Sequence, residues 1–296
     1  MNRNIKKSVI FIALTFVINY LMVILFLALG GKWDMTSSMT LGTAYMFIPM
    51  IVAIIVQKGI YKEPLIGPLG ISWKLNWWWL LAWWLPPIIA FAIFGVSLLL
   101  PGVSYSPEMA GLIERFKDTL SPEQLQQIKD SIAMFPIHPI WLGLMQGMIA
   151  GITINAVAGF GEELGWRGFL QNELSYLGFW KSSAIIGVVW GVWHAPLILQ
   201  GHNYPQHTEA GVFMMIVFCL LLAPIFSFIR LKAKSVIAAA IIHGSLNATM
   251  GLSIMLVKGG SDLLIGGTGL AGFIVLAMLN VGIFVYNRVT FKQASP

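Results

Sequence analysis

Long apolar stretches that do not alternate with polar residues dominate the hydrophobic pattern of this chain. A helix needs about 20 apolar residues to cross a bilayer, whereas a membrane β-strand needs only about 9–11 alternating ones. The pattern therefore predicts an all-α polytopic membrane protein with about eight transmembrane helices. The predicted spans are residues 8–30, 40–57, 78–100, 140–161, 183–201, 211–229, 235–257 and 263–286. The first exceeds the 7–15 residues of a signal-peptide core, so we expect an uncleaved anchor.

Composition supports a membrane protein and excludes several other classes. Hydrophobic residues make up 57% of the 296 residues, charged residues make up 10%, and the mean hydropathy is +0.80. About 25% of the residues of a soluble domain are charged, so this chain could not cover a water-exposed surface. A cytosolic enzyme, a disordered chain, a collagen and a disulfide scaffold are therefore excluded. The single cysteine, Cys219, also excludes an internal disulfide and a thiolate zinc cluster.

The distribution of charge predicts the orientation. With both termini cytoplasmic, 13 of the 18 Lys and Arg residues fall on the cytoplasmic side and eight of the 12 acids fall on the other side. This separation follows the positive-inside rule and fits a multi-pass protein of the cell membrane. The net charge of +6 is then a property of cytoplasmic loops, and we expect contact with membrane lipid and no nucleic-acid partner.

Two segments do not have the pattern of a plain span. Residues 62–78 contain prolines and tryptophans, which indicates a stretch at the headgroup level. Residues 101–139 contain most of the external charge, and Ser106-Pro107 and Ser121-Pro122 resemble helix starts. We expect an extracytoplasmic helical insertion there, within a single integral membrane domain covering residues 1–296.

A pair of acids lies at the predicted inner end of the fourth span. A charge at the bilayer centre costs at least about 2.5–3.5 kcal/mol, so such residues are functional candidates. Glu163 and Arg167 are spaced i, i+4 with the acid first, which favours an ion pair. Adjacent helical side chains point about 100° apart, so we expect Glu162 to face a different partner and to serve as a base. A salt-bridged helix end without catalytic function is the structural alternative. His194 is predicted to lie deeper in the membrane than Glu162, which is at the inner end of its span. We therefore expect either that the helix continues past residue 161, so that the acids lie inside a cavity, or that the site is a water-filled cone open to the cytosol.

Two further spans contain histidines. In the fifth span, His194 follows Trp190 by four residues and precedes Pro196, which can kink the helix and open space beside the imidazole. In the seventh span, His243 and Asn247 are spaced i, i+4 and share one helix face. Each histidine alone could be a hydrogen-bonded packing residue. Together, an acid, two imidazoles and an amide from three spans are the groups needed to activate water and to stabilise an oxyanion.

These three motifs resemble the CPBP family of intramembrane proteases, whose best-known members are the type II CAAX prenyl endopeptidases. The family pattern is EExxxR, FxxxH and HxxxN. The first and third motifs match without a break, and Trp190 replaces the first Phe of the second. The resemblance covers about residues 140–250, which it makes the catalytic core of the bundle. We expect the Phe-to-Trp difference to alter packing more than chemistry.

The resemblance also implies roles for these residues. Glu162 would be the general base for a water held with His194, His243 and Asn247. His243 and Asn247 would also face the oxyanion. Glu163 and Arg167, with Trp190 beside them, would orient the substrate or the catalytic groups. The substrate would be a membrane-proximal or lipidated peptide near the cytoplasmic face.

The family resemblance allows either a zinc-dependent reaction or water activated by glutamate alone, so it leaves the metal requirement open. If zinc (Zn2+) is used, its ligands would be Glu162, His194 and His243. The H-E-x-x-H spacing that separates ligand from base is absent, so we favour metal-independent hydrolysis.

Two other classes of function also remain. Buried Glu and His side chains can relay protons in a proton-coupled transporter, and a relative without activity can serve as a membrane scaffold.

Overall fold

The computed structural model describes residues 3–116 and 136–293, together with residues 121, 123, 126, 127 and 130. Helices dominate these residues, as the apolar pattern predicts. Their α-helices are, in chain order, α1 (Arg3–Ala28), α2 (Met35–Ile54), α3 (Trp77–Ser97), α4 (Ala110–Phe116), α5 (Pro139–Ile152), α6 (Ile154–Glu163), α7 (Gln171–Glu173), α8 (Phe179–Trp193), α9 (Ala195–Ile198), α10 (Thr208–Ala233), α11 (Val236–Thr249), α12 (Leu252–Met255) and α13 (Leu270–Gln293).

Shorter elements connect some of these helices. Two π-helical segments, Ile55–Ile60 and Leu164–Leu170, extend α2 and α6, and a 3-10 turn spans Ser175–Leu177. Strands β1 (Ser104–Tyr105) and β2 (Val257–Lys258) pair antiparallel.

Six of the helices are long and apolar enough to cross a membrane. They are Arg3–Ala28, Thr36–Ile60, Trp77–Ser97, Thr208–Ala233, Val236–Met255 and Leu270–Val289. A bent pair, Pro139–Ile152 and Ile154–Glu173, would make a seventh span and turns by 49° at its break. The predicted span 183–201 corresponds instead to the 15-residue α8 and the short α9, which His194 separates. The polytopic helical fold is confirmed, and the count of eight and the orientation of the termini stay predictions.

Polar contacts join segments at each end of the bundle. At one end, the ammonium group of Lys7 is buried and pairs with Glu63, at 2.7 Å, and with Glu173. At the other end, β1 pairs with β2, and the backbone N–H of Gln206 donates to Asp262 at 2.8 Å. In each group, the contacting residues come from segments that the charge distribution assigns to one side, and the orientation itself stays a prediction.

The two segments without span character fold as follows. Within residues 62–78, helix α3 begins after Asn76, whose side-chain oxygen accepts from the backbone N–H of Trp78 as an N-cap. The side-chain amide of Asn76 also donates to the carbonyl of Ala233 at 3.2 Å. Within residues 101–139, Ser106 accepts from the N–H of Ala110, so α4 begins slightly later than predicted. The second predicted helix start includes Pro122, which lies outside the described residues.

Close helix contacts at glycines position the polar residues. A Cβ atom on Gly244 of α11 would lie 2.5 Å from the backbone nitrogen of Ala156 on α6. A Cβ atom on Gly159 of α6 would lie 3.2 Å from the Cβ atom of His243. Gly244 has no room for a side chain and Gly159 has little, so the backbones of α6 and α11 approach closely. This contact brings the acids of α6 next to the imidazole of α11.

Candidate active site

The two acids lie on a helix that continues beyond the predicted end of the fourth span. Helix α6 ends at Glu163 and the π-helical segment Leu164–Leu170 follows without a break. Continuation past residue 161 is therefore confirmed. The side chains of Glu162 and Glu163 are 3% and 0% exposed, respectively. Single-turn π segments inside helices are frequent at functional sites, and this one contains Arg167.

Glu163 is the acceptor for two cationic or hydrogen-bonding groups. Its Oε1 lies 3.0 Å from Nη1 of Arg167, which confirms the i, i+4 pair, and 2.7 Å from Nδ1 of His243. Glu162 has a hydrogen-bond partner of its own, Trp190, as expected, but both acids also contact the ring of His243. Nε2 of the same ring lies 3.9 Å from Oε1 of Glu162. The two nitrogens lie on different edges of the imidazole, so one ring faces both acids.

Trp190 contacts Glu162, Arg167 and both histidines of the site. Its indole N–H donates to Oε2 of Glu162 at 2.7 Å, and the guanidinium of Arg167 lies 4.3 Å from its ring centre. Its ring is 5.7 Å from the imidazole of His194 and 5.7 Å from that of His243. The residue that replaces the family Phe therefore adds a hydrogen bond to an acid, which a phenyl ring could not make.

His194 lies at the break between α8 and α9. Its Nδ1 is 2.8 Å from the carbonyl oxygen of Trp190. Because a carbonyl only accepts, this contact assigns the proton of a neutral ring to Nδ1 and leaves Nε2 as an acceptor. The ring is 8% exposed overall and packs 4.7 Å from the ring of Trp193.

Two tyrosines stabilise the helix break beside His194. Pro196 has no N–H to donate to the carbonyl of Val192, four residues earlier. The hydroxyl of Tyr20 on α1 donates to that carbonyl at 2.7 Å, and the hydroxyl of Tyr45 on α2 donates to the carbonyl of Trp193 at 2.6 Å. Pro196 indicates that a carbonyl loses its partner, but no sequence signal identifies the residues that replace it. Tyr20 and Tyr45 were therefore missed.

Asn247 differs from the other candidates because it is exposed, whereas they are buried. It lies one turn after His243 on α11, as the spacing predicts. The buried cluster thus comprises Glu162, Glu163, Arg167, Trp190, His194 and His243. The role of Asn247 stays a prediction.

Comparisons with known proteins match this same part of the chain. The family described as type II CAAX prenyl endopeptidase Rce1-like matches residues 140–249, which contain all three motifs. Over residues 140–249 the chain is therefore similar to this Rce1-like family. The chain is also 35% identical over 92 residues to CAAX prenyl protease 2 of Methanococcus maripaludis. That match covers 29% of this chain, and it spans about a third, 34%, of the length of the archaeal relative. The apolar helices support a membrane protein, and residues 140–249 are similar to a CAAX prenyl endopeptidase.

The zinc ligands named from the sequence, Glu162, His194 and His243, all lie in this segment. Among the described residues, no group of three or more His, Cys, Asp or Glu side chains is arranged to hold a metal ion. One oxygen of Glu162 accepts from Trp190 and Nδ1 of His194 is bonded to a backbone carbonyl, which leaves Oε1 of Glu162 and Nε2 of His194 free. Because Glu162, His194 and His243 are not grouped as a metal site in this conformation, the chemistry below is derived from side chains alone.

Proposed function

We propose that the protein is a membrane-embedded endopeptidase that hydrolyses a peptide bond of a prenylated, CAAX-type peptide with water activated by Glu162. The observation that carries this proposal is the convergence of Glu162 and His243, from α6 and α11, on the indole of Trp190. The Rce1-like match and the name of the archaeal relative support the substrate class.

Glu162 and His194 have free acceptor atoms for the two hydrogens of one water molecule. Oε2 of Glu162 accepts from Trp190, which leaves Oε1 as the oxygen that removes a proton. Nε2 of His194 is an acceptor because Nδ1 donates to a carbonyl. In the proposed reaction, the water oxygen attacks the scissile carbonyl carbon while its proton passes to Glu162. The same proton then moves to the leaving amine as the C–N bond breaks.

His243 is suited to stabilise the oxyanion that forms in this reaction. Its Nδ1 is bonded to Glu163, so Nε2 of the protonated ring is the donor that remains. Arg167 and a protonated His243 would balance the charges of the two buried carboxylates, which would otherwise be uncompensated. We propose that Asn247 donates a second hydrogen bond to the oxyanion. Glu163 and Arg167 are then positioning residues for His243 and Trp190.

Substitution of the proposed base and of the water-binding imidazole tests the function. Glu162→Gln and His194→Ala should each abolish cleavage of a farnesylated peptide by the purified protein in nanodiscs. Glu209→Gln is the matched control, because this exposed acid lies in the first turn of α10. Full activity of Glu162→Gln would contradict the assignment of the base. Loss of activity in the control would show that the assay responds to damage elsewhere.

A further inference from the structure

A cavity lined in part by polar residues lies beside the candidate active site and shares Arg167 with it. The cavity has a volume of about 240 Å³, and its lining includes Arg167, Gln171, Ser182 and Arg230. Two arginines thus line one space, and no carboxylate is among its lining residues. A cavity with this charge is suited to an anion.

The guanidinium of Arg167 has donors that the protein itself leaves unpaired. Its side chain is 0% exposed, and Nη1 donates to Glu163. Its Nε and Nη2 atoms are buried without a hydrogen-bond partner among the described residues, and so is Nε of Arg230. Buried polar groups almost always have a partner, and a charged donor without one is especially costly. These free donors point to an acceptor that binds in the cavity.

The beginning of α8 adds partial positive charge to the same space. Phe179, the first residue of this 15-residue helix, lines the cavity, and Gly178 before it provides no side-chain cap. The first N–H groups of a helix have no intrahelical partner and favour an anion. The helix end therefore adds to the attraction of the two arginines.

We propose that this cavity binds the free C-terminal carboxylate of the peptide substrate. The proposal rests on the proposed function and extends it. Arg167 contacts Trp190, and Trp190 donates to Glu162, so one indole links the anion cavity to the proposed base. Extended residues span about 3.3–3.6 Å each, so a peptide that ends within a few residues of the cut would hold its carboxylate near the scissile bond. A lipid phosphate is also an anion with acceptor oxygens. The position of the cavity beside the proposed base favours the substrate's own carboxylate over the lipid.

Binding to a protein that cannot cleave tests this assignment. Full-length Glu162→Gln protein in phosphatidylcholine nanodiscs would be titrated with a farnesylated tetrapeptide that ends in a carboxylate or in an amide. We expect the carboxylate to bind about 10- to 100-fold more tightly, the range for one hydrogen bond to a charged group. Equal affinities would overturn the proposal without any further substitution.

Arg230 provides the site-specific arm, because it lines the cavity and lies outside the proposed catalytic residues. In the Glu162→Gln protein, a second substitution, Arg230→Gln, should remove the preference for the carboxylate. Arg230→Lys in its place should retain part of that preference. Lys232→Gln is the matched control, since it removes one charge from the same helix at a residue that does not line the cavity. A preference that persists in Arg230→Gln, or that Lys232→Gln removes equally, would overturn the assignment.

Two further arms separate this proposal from its alternatives. Phosphatidylglycerol added to the nanodiscs should leave the carboxylate preference intact. Arg230-dependent displacement of the peptide by this lipid would assign the cavity to a lipid phosphate and overturn the proposal. If the unsubstituted protein cleaves neither peptide while the binding preference holds, the proposed function fails and the cavity assignment stands. If it cleaves both peptides with equal kcat/KM, only the cavity assignment fails.

Discussion

Glu162 and Glu163 are adjacent acids, and the structure predicts opposite consequences for their replacement by glutamine. Oε1 of Glu163 accepts from Arg167 at 3.0 Å and from His243 at 2.7 Å, within a site where the Arg167 and Glu163 side chains are 0% exposed. Glu162 accepts one hydrogen bond, from Trp190 at 2.7 Å, and forms no bond to Arg167. Glu163→Gln should therefore destabilise the fold, whereas Glu162→Gln should stop the reaction and leave the fold intact.

The expected magnitudes follow from these contacts. Glu163→Gln leaves the buried guanidinium of Arg167 without its counter-charge, and removal of one partner of a buried ion pair costs about 3–5 kcal/mol. Glu162→Gln keeps an acceptor oxygen for Trp190, so it exchanges one charge-assisted hydrogen bond for a neutral one and should cost less than about 1.5 kcal/mol.

The comparison needs two measurements on the same detergent preparation. The free energy of unfolding would be followed by tryptophan fluorescence during titration with denaturing detergent, and peptide cleavage would be followed by mass spectrometry. Equal stability of Glu163→Gln and the unsubstituted protein would refute the role of Glu163 as the counter-ion of Arg167. A larger loss of stability in Glu162→Gln would refute the distinction between the two acids.

Three further predictions concern the surroundings of the site. Tyr45→Phe removes the donor to the carbonyl of Trp193 and should lower the free energy of unfolding by about 1–3 kcal/mol and reduce kcat, which the same titration and assay would detect. Gly244→Val should abolish activity, because a Cβ atom there would lie 2.5 Å from Ala156, whereas Gly251→Ala, which meets nothing within 4 Å, should be tolerated. Prolonged treatment with a chelator should leave cleavage unchanged, and activity lost to chelation and restored by zinc would show an essential metal.

The sequence alone predicts the helical spans, the segment of family resemblance and the Glu163–Arg167 pair. Each of these depends on local composition or spacing. The long apolar runs determine where helices cross the membrane, and the i, i+4 spacing determines which side chains meet on one helix. Contacts between helices could not be derived in this way. That one imidazole would face both acids depends on the close approach of α6 and α11 at Gly159 and Gly244, which sequence spacing does not reveal.

The fifth span shows the same limit in a different form. Pro196 indicates a disturbed helix, and the structure has a break at His194. The apolar pattern nevertheless predicts one continuous span over residues 183–201, because hydropathy does not register a missing hydrogen bond. The break depends on hydroxyl donors from α1 and α2, Tyr20 and Tyr45, more than 140 residues away along the chain.

The central claim, that Glu162 activates water for direct attack on a peptide bond, is tested most directly by a single turnover in water labelled with oxygen-18. Purified protein in excess over a farnesylated peptide would react once, and both the peptide product and the protein would be examined by mass spectrometry. The account predicts one labelled oxygen in the new peptide carboxylate, none in Glu162, and no product from Glu162→Gln. Label incorporated into the carboxyl group of Glu162 would indicate a covalent anhydride intermediate and would contradict it.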